Sequence, residues 1–517
     1  MQITITPGAM RALEKDYMAL RGVPGALLME HAAQAVCSAL ERRIPGGRAL
    51  FVCGPGNNGG DGYAAARLWR AGGGEALVWE LSAPAGGDAA MNRALALEAG
   101  VTILAPENAL PPCDAAVDAL FGTGLSRPVE GRAADIIRLL NESGLPVIAV
   151  DIPSGLCGET GRVLGEAVRA AETVTFHRLK PGLLLRDGPR CAGRLTVAPI
   201  LIPAGFGTQE GLRCMEKADI ARLLPPRPVD GHKGTFGRVV IFAGSLGMAG
   251  AAALCASAAI RAGAGLTTVL CRETILPMVQ VLCPGAVCVP YTGAESAMRL
   301  LALADAAAVG CGLGQAEDAL PALRAFRAAS CPVVWDADAL NLLACHDELL
   351  PPPENAVITP HPGEAARLLG STAAEITDAP LESLQALREK CGCTVLLKGC
   401  RTLMTDGVHT AVNLQGTPAL AKGGSGDVLT GLMVALLARR LPCTALETVQ
   451  LAAMLHGMAG MRGAMRHGEN CLTPTELAEC IRLDAEMAYQ IQSCGSNCSC
   501  SFFRQVKTFR GYPASDR

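Results

Sequence analysis

Short apolar segments alternate with amphipathic segments of helical length along most of the chain, and this alternation restricts the fold more than any other feature. Each apolar segment ends in glycine or a polar residue, which is typical of parallel strands buried under helices on both faces of a sheet. The pattern occurs in two series. The first has predicted strands at 49–53, 116–121 and 146–150 and predicted helices at 10–21 and 63–71; the second has predicted strands at 238–243, 266–271, 306–309, 332–335, 356–359 and 394–397. We therefore predict an α/β protein with two doubly wound domains.

A glycine-rich stretch at 203–211 and a proline-rich turn at 225–228 separate the two series. We place the domain boundary there, which gives domains at 1–213 and 214–487. No sequence repeat relates the halves, because their glycine loops differ in spacing and in chemistry. The helical periodicity stops near residue 490, so we predict a disordered tail at 488–517.

The composition excludes several classes of function. The net charge is -3 and aromatic residues make up only 3% of the chain, which argues against nucleic acid or a membrane surface as a partner. The best candidate for a membrane span, residues 251–271, carries Arg261 in its middle and is interpreted as a buried helix that runs into a strand. A membrane is therefore not an expected partner.

The 22 cysteines are scattered along a chain that begins without a signal-peptide pattern, so we expect reduced thiols and a cytoplasmic location. Cys391 with Cys393, and Cys494 with Cys498 and Cys500, could bind a metal or pair under oxidation. We favour ordinary thiols, because a zinc site needs four well-spaced ligands.

The first glycine loop, residues 54–62, reads Gly-Pro-Gly-Asn-Asn-Gly-Gly-Asp-Gly and lies between a predicted strand and a predicted helix. It contains the GxGxxG spacing of Rossmann-like domains, and Glu80 closes the next strand where an NAD-binding acid could lie. A dinucleotide ligand is therefore plausible. Asp61 is less usual, because its charge would repel a pyrophosphate; either it caps the helix or it has a catalytic or binding task.

Two more polar loops follow predicted strands, at 118–128 and 151–155. Because ligands of open α/β sheets bind at the carboxyl ends of the strands, we expect the three loops to form one site. Asn58, Asp118 and Ser154 offer oxygen ligands with a single negative charge, which suit a monovalent cation better than a dication. Potassium is the ion that we predict.

These loops, with residues 10–14, 22–25 and 28–30, resemble the NAD(P)H-hydrate epimerase family over most of residues 1–213. The resemblance implies a three-layer Rossmann-like domain that interconverts the R and S forms of hydrated NADH and NADPH. It implies potassium at Asn58, Asp118 and Ser154, and a catalytic Asp151 at the reacting ring. It also implies substrate contacts, in addition to Asp151, from Asn57, Asn58, Gly59, Gly60, Asp61, Gly122, Thr123, Gly124, Leu125, Ser126, Arg127 and Pro128.

The second glycine loop, residues 421–427, leads into an apolar segment at 428–438, so its amides could hold a phosphate at a helix N-terminus. Asp427 would repel that phosphate. It either caps the helix or acts as the general base for an acceptor hydroxyl, and we favour the base. His361 and Lys398 also follow predicted strands; either could instead be an ordinary surface residue.

With segments at 232–234, 263–265, 310–314 and 336–341, these loops resemble the ADP-dependent NAD(P)H-hydrate dehydratase family, which has a ribokinase-like fold, over residues 214–487. Cys311 stands where the family has proline. The resemblance implies magnesium, ADP as co-substrate, and a homo-oligomer. It assigns Gly312, His361 and Asp427 to the hydrated substrate, with Asp427 catalytic. It assigns the nucleotide to Lys398, Gly399, Cys400, Arg401, Thr402, Thr417, Pro418, Ala419, Leu420, Ala421, Lys422, Gly423, Gly424, Ser425 and Gly426.

The leading functional hypothesis is therefore a two-domain repair enzyme. One alternative is a ribokinase-like kinase of a small molecule with an appended NAD-binding module, which would release a stable phosphorylated product. A second alternative, a nucleotide-sensing or scaffold module, does not explain the loops that carry Asp118 and Asp151.

Overall fold

The computed structural model describes residues 1–207 and 210–483. The predicted tail at 488–517 lies outside the described residues, and so do Cys494, Cys498 and Cys500. The chain forms two compact units. The first contains residues 1–214, 343–354 and 358–414, and the second contains 215–342, 355–357 and the described residues from 415 onward.

Strands and helices alternate along the chain, as the apolar pattern predicts. The strands are β1 Gln2–Ile3, β2 Arg48–Cys53, β3 Glu75–Glu80, β4 Thr102–Leu104, β5 Ala115–Ala119, β6 Val147–Val150, β7 Glu172–Phe176, β8 Arg194–Ala198, β9 Arg213–Cys214, β10 Arg238–Phe242, β11 Leu266–Cys271, β12 Val287–Pro290, β13 Ala306–Val309, β14 Val333–Trp335, β15 Val357–Ile358, β16 Thr394–Leu397, β17 Leu403–Thr405 and β18 Thr410–Val412. The helices are α1 Pro7–Arg21, α2 Gly25–Glu41, α3 Asn57–Ala71, α4 Gly87–Glu98, α5 Gly131–Glu142, α6 Gly188–Ala192, α7 Lys217–Leu223, α8 Ala249–Arg261, α9 Leu276–Leu282, α10 Ala294–Leu301, α11 Leu320–Arg327, α12 Asp338–Cys345, α13 Pro362–Leu369, α14 Ala373–Asp378, α15 Pro380–Cys391, α16 Ser425–Ala438, α17 Ala445–His467 and α18 Pro474–Glu479.

The first unit contains a seven-stranded sheet in the order β4-β3-β2-β5-β6-β7-β8. All of its neighbouring strands are parallel. The chain order reverses direction between β2 and β5, and a reversal of this kind leaves a crevice at the carboxyl ends of the two strands. The first glycine loop follows β2, so the fold puts it at this crevice.

Alternate residues of β2 face two separate cores, as expected for a strand buried on both sides. Ala49, Phe51 and Cys53 pack in one core with residues of α2 and α3. Leu50 and Val52 pack in the other core with residues of α5. This arrangement confirms the predicted three-layer domain. The first unit also contains antiparallel pairings of β16 with β17, of β17 with β18, and of β1 with β9.

The second unit contains parallel strands in the order β14-β13-β10-β11-β12. The order again reverses, here between β10 and β13, which gives this unit its own crevice. Helix α16 packs against α8 with nearly all of its residues buried. Gly431 makes this close packing possible, because a Cβ there would lie 2.0 Å from the carbonyl oxygen of Cys255.

Both glycine loops differ from their predicted extent, because each helix begins earlier than the sequence pattern suggested. Helix α3 begins at Asn57, with Gly56 at the N-cap, whereas the prediction placed its start at Tyr63. Helix α16 begins at Ser425, with Gly424 at the N-cap, rather than at residue 428. The alternative in which Asp61 or Asp427 occupies the N-cap is therefore wrong.

The described cysteines are all free thiols, including Cys391 and Cys393. Among the described residues, no group of three or more His, Cys, Asp or Glu side chains is arranged to hold a metal. No described helix is long and apolar enough to cross a membrane. Residues 251–261 belong to α8 and residues 266–271 form β11, so the segment is a helix followed by a strand, as predicted.

Candidate functional sites

Asp118 and Ser154 form a buried pair beside the crevice of the first sheet. Asp118 lies in β5 and Ser154 follows β6, and both side chains are fully buried. The Ser154 hydroxyl donates to Asp118 Oδ1 at 2.6 Å, and the Ser154 amide donates to Oδ2 at 2.7 Å. The Phe121 amide donates in turn to the Ser154 hydroxyl oxygen at 2.8 Å. These bonds leave lone pairs on both side chains for a further ligand.

Burial raises the pKa of Asp118 to about 6, although the hydrogen bonds from Ser154 and Leu120 lower it. Asn58 lies on the neighbouring helix, and its Oδ1 is 3.1 Å from where a Cβ of Gly122 would be. The amide nitrogen of Asn58 is buried and has no hydrogen-bond partner among the described residues. Because buried polar groups are normally satisfied, this amide indicates a site that is built for a ligand.

Asp151 and Lys180 form a second polar pair at the same sheet edge. Asp151 follows β6 and has a φ of 62°, a conformation that side-chain-bearing residues rarely adopt. The ammonium group of Lys180, which is fully buried, lies 2.5 Å from Asp151 Oδ1. It also donates to Thr175 Oγ1 at 3.1 Å and to the carbonyl of Phe176 at 3.0 Å. All three N–H groups of this lysine are therefore used.

Two more carboxyl groups lie in the electric field of this pair. Burial raises the pKa of Asp61 well above its ordinary value; the charges of Asp151 and Glu14 raise it further, and Lys180 lowers it. Burial likewise raises the pKa of Glu14, against the lowering effect of Lys180. A raised pKa favours the protonated form of a carboxyl group, which is the form that a general acid needs.

Helix α1 brings Glu14 to this edge. The Ile5 amide bonds the carbonyl of Leu179 at 2.9 Å, and Arg11 donates to the carbonyl of Thr123 at 3.3 Å. The start of the helix is therefore held near Lys180, and Arg11 links the helix to Thr123 of the segment 122–128. Thr6 caps α1 by accepting from the Ala9 amide.

The predicted substrate residues of the first domain divide into two groups. Gly59 and Gly60 are buried, and a Cβ at Gly59 would lie 1.9 Å from the carbonyl oxygen of Gly54, so these positions permit close packing. The remaining residues are partly or fully exposed to solvent; they are Asn57, Asn58, Asp61, Gly122, Thr123, Gly124, Leu125, Ser126, Arg127 and Pro128. Their substrate contacts remain predictions.

Glu80 is not available as a simple ribose acceptor. Its carboxylate accepts a hydrogen bond from the Tyr63 hydroxyl at 2.8 Å and is also bonded to Arg93. These bonds lower the pKa of Glu80, although burial opposes them. The acidic residue that follows the GxGxxG spacing is therefore already bonded to Tyr63 and Arg93.

Sequence reasoning missed Lys180 and did not assign a role to Glu14. Strand β7, which positions Lys180, reads Glu-Thr-Val-Thr-Phe and was absent from the predicted strands. Its β-branched residues were the available signal, since threonine and valine favour strands. Glu14 could not be assigned because α1 reaches the site only through tertiary packing.

The second unit has its own group of polar side chains at strand ends. Asp336 follows β14 and is buried, and its Oδ2 accepts from the Thr430 hydroxyl of α16 at 2.7 Å. Asp338 Oδ2 accepts from the Gly314 amide at 2.9 Å, and the Ser245 hydroxyl donates to the carbonyl of Gly312 at 2.9 Å. The loops at the second crevice are thus held in place by hydrogen bonds.

Asp427 is the third residue of α16, one helical turn before Thr430. The thiol of Cys311 lies in the electric field of Asp427. A hydrogen bond to Cys255 and burial raise the pKa of Cys311 well above its ordinary value, and the charges of Asp427 and Asp336 raise this pKa further. Cys311 therefore stays a neutral thiol. The departure from the family's proline adds no charge beside Asp427.

The predicted nucleotide segment 417–426 is held by hydrogen bonds to residues 469–472. The Thr417 hydroxyl donates to Glu469 at 2.8 Å and accepts from the Ala419 amide at 3.3 Å. Lys422 donates to the carbonyls of Asn470 and Leu472 at 2.7 and 2.8 Å. Pro418, Ala419 and Leu420 form a short 3-10 helix, and Ala421, Gly423, Gly424, Ser425 and Gly426 complete the turn into α16.

The remaining predicted residues belong to the first unit. His361 caps α13: its Nδ1 accepts from the amides of Gly363 and Glu364 at 3.0 and 3.4 Å, and its side chain is 51% exposed. His361 is thus the N-cap residue of α13, and its substrate role remains a prediction. Lys398, Gly399, Cys400 and Arg401 border a cavity of about 120 Å³, and Thr402 Oγ1 donates to the carbonyl of Gly399 at 3.3 Å.

The fold and these two groups of side chains define a two-domain α/β enzyme. Residues 25–182 match the family model described as YjeF-related protein N-terminus. Residues 239–483 match the model described as NAD(P)H-hydrate dehydratase.

The chain is 37% identical to the bifunctional NAD(P)H-hydrate repair enzyme Nnr of Vibrio cholerae, over 91% of this chain and 95% of that protein. It is 38% identical to the Escherichia coli enzyme of the same name, over 87% of each chain. Among solved structures, it is 29% identical to an ADP/ATP-dependent NAD(P)H-hydrate dehydratase from Bacillus subtilis, with a TM-score of 0.48 over 53% of this chain and 97% of that one. The chain belongs to the family of bifunctional NAD(P)H-hydrate repair enzymes.

Proposed function

We propose that this chain repairs hydrated NADH and NADPH at two sites. Residues 1–213 interconvert the R and S hydrates, and residues 214–487 dehydrate the S hydrate at the expense of ADP. The observation that carries the proposal is the presence of two separate polar crevices, each beside a reversal of strand order, in a chain that belongs to this family. One crevice contains the Asp151–Lys180 pair and the other contains Asp427.

The first crevice supports epimerisation because it offers both an acid and a base. Inverting the carbon that bears the hydroxyl requires a proton for the departing oxygen and a group that accepts a proton when water adds to the other face. Asp61, whose pKa burial raises, supplies a protonated carboxyl group. Asp151 supplies a carboxylate that its partners orient. The segments 57–61 and 122–128 would hold the rest of the substrate.

Potassium fits Asn58, Asp118 and Ser154. These residues provide an amide oxygen, a carboxylate and a hydroxyl, all of which have lone pairs for a cation. The unpartnered amide nitrogen of Asn58 is a donor, so it would bind an acceptor atom of the substrate and not the ion. A bound cation supplies positive charge beside the substrate. With a single carboxylate, the site matches a monovalent ion better than a dication.

The second crevice supports phosphoryl transfer to the ring hydroxyl. Asp427 accepts the hydroxyl proton as the ring oxygen bonds to the terminal phosphorus of ADP and AMP leaves. The C–O bond then breaks and its electron pair leaves with the phosphate. The neighbouring ring carbon loses a proton, and the electrons of that C–H bond restore the double bond of NAD(P)H. Phosphorylation thus converts a poor leaving group into a good one. Thr417 to Gly426, which directly precede Asp427, would hold the nucleotide in this unit. The role of Lys398 to Thr402 stays a prediction.

Magnesium would accompany the nucleotide. Because the described residues contain no cluster of acidic or histidine ligands for a metal, its ligands would be mainly phosphate oxygens and water, which is common for this ion. The free thiols are consistent with a reducing, cytoplasmic environment. A homo-oligomer remains a prediction that sedimentation would test.

The experiment uses hydrated NADH of mixed stereochemistry. With ADP and magnesium, the full chain should convert both epimers to NADH, which is followed by its absorbance. Without ADP, chromatography should show equilibration of a purified R epimer and no NADH. A stable phosphorylated product would favour the small-molecule kinase instead, and no epimer exchange would refute the function of the first domain.

A further inference from the structure

The most unusual group outside the assigned residues is the ammonium of Lys180. Its side chain is fully buried, and burying an ammonium group is costly unless each N–H is bonded and a countercharge is near. Asp151 Oδ1, Thr175 Oγ1 and the carbonyl of Phe176 meet that requirement, at 2.5, 3.1 and 3.0 Å. The lysine is therefore held in a single geometry.

The donors around Asp151 converge on one oxygen. Oδ1 accepts from Lys180, from the Thr175 hydroxyl at 3.0 Å and from the Phe176 amide at 3.3 Å. Among the described residues, none donates to Oδ2 of Asp151. The carboxylate is thus fixed through one oxygen, and the other oxygen is left for a substrate.

Lys180 is also the cation that three carboxyl groups share. It is paired with Asp151, and its charge acts on Asp61 and Glu14 as well. Arg11 faces Glu14, and His177 and Arg178 are the other basic groups near the lysine. Removing the charge of Lys180 would therefore change the electric field at all three carboxyl groups.

We propose that Lys180 is a positioning residue of the epimerase site, which fixes Asp151 through Oδ1 so that Oδ2 meets the substrate. This inference rests on the proposed function of the first domain. The competing interpretation is a purely structural ion pair, which would affect folding and leave the chemistry of folded protein unchanged.

The first measurement needs no activity. Thermal unfolding of the full chain is compared for Lys180→Met, Asp151→Asn and the double variant. Because each single variant leaves one buried charge without its partner, the double variant should recover much of the melting temperature that the single variants lose. Additive losses would overturn the pairing and with it the inference.

The second measurement separates positioning from folding. Folded Lys180→Met should lose at least about a hundredfold in kcat for epimerisation, with KM changed by less than about threefold, since the base is misplaced while the substrate loops remain. The pKa values of Asp61 and Glu14 should rise without the cation that lowers them, so the limb of the pH–rate profile that they control should move to higher pH. An unchanged kcat and profile would overturn the inference.

Glu172→Gln is the matched control, because Glu172 is a buried charge on β7, the strand that precedes Lys180, and is paired with Arg42 at 2.8 Å. It should lower the melting temperature and leave the pH–rate profile in place. If the unaltered chain does not exchange epimers, the proposed function fails. The unfolding measurements then still decide whether Lys180 and Asp151 are coupled.

Discussion

Potassium should stabilise the protein more at pH 8 than at pH 5, because Asp118 must be ionised to hold the ion. Burial raises the pKa of Asp118 from its ordinary value of 3.8 to about 6 in the folded, ion-free protein. At about 1.4 kcal/mol per pH unit, ionising this carboxyl group in the folded state costs roughly 3 kcal/mol. Below pH 3.8 Asp118 is protonated in both the folded and the unfolded state, so the folded state does not bear this cost. As the pH rises through 6, the folded protein loses that amount of stability. A cation beside the carboxylate should restore the lost stability.

The size of the effect follows from competition between the proton and the ion. Below pH 6, each unit of pH reduces the ionised fraction of Asp118 about tenfold, so the apparent affinity for potassium should fall about tenfold. At saturating potassium this removes about 1.4 kcal/mol of stabilisation per unit. For domains of this size, it corresponds to roughly 3–6 °C in melting temperature.

The assay is thermal unfolding in potassium chloride and in choline chloride at equal ionic strength, from pH 5 to pH 8. Equal ionic strength removes the general screening effect of salt. The difference in melting temperature between the salts should grow with pH and level off above pH 6. Asp118→Asn should abolish that difference. A potassium effect that is equal at pH 5 and pH 8, or that survives in Asp118→Asn, would refute the reasoning.

Two further predictions concern the second unit. Thr430→Val removes the hydrogen bond to buried Asp336, so it should destabilise the protein by about 1–3 kcal/mol and slow dehydration. Thr430→Ser keeps the hydroxyl group and should retain most of the stability and most of the dehydratase activity. Denaturant unfolding measures the stability, and recovery of NADH measures the activity. Gly431→Ala brings a Cβ to 2.0 Å from a backbone oxygen of α8, so it should lower the free energy of unfolding by at least about 1–3 kcal/mol. A Cβ at Gly250 meets nothing within 4 Å, so Gly250→Ala should be neutral or should stabilise the protein by up to about 1 kcal/mol. An equal melting temperature for the two alanine variants would contradict the close packing of α8 with α16.

The sequence was sufficient to predict the location of the polar loops. Parallel strands align their carboxyl ends, so residues that follow consecutive strands must meet at one edge. Asp118, Ser154 and Asp151 illustrate this, since they lie on or just after β5 and β6, which are neighbours in the sheet. The apolar pattern therefore determines which loops converge.

The sequence did not reveal where the helices begin or what surrounds Asp151. Glycines at 59 and 62 suggested a loop, yet they lie inside α3, where they allow the helix to approach β2 and β5 closely. Lys180 was missed because β7 was not predicted, and Glu14 because its contribution depends on the packing of α1. Hydrogen-bond partners and electric fields follow from tertiary contacts, which local sequence patterns do not contain.

The most direct test of the two-site division compares two variants on both activities, using the same preparations. Asp151→Asn should slow conversion of the R hydrate by at least about a hundredfold and still recover NADH from the S hydrate with ADP. Asp427→Asn should do the reverse: it should exchange the epimers normally and lose at least about a hundredfold in ADP-dependent recovery of NADH, while it still binds adenine nucleotide. Loss of both activities in either folded variant, or normal recovery of NADH by Asp427→Asn, would contradict two independent catalytic sites.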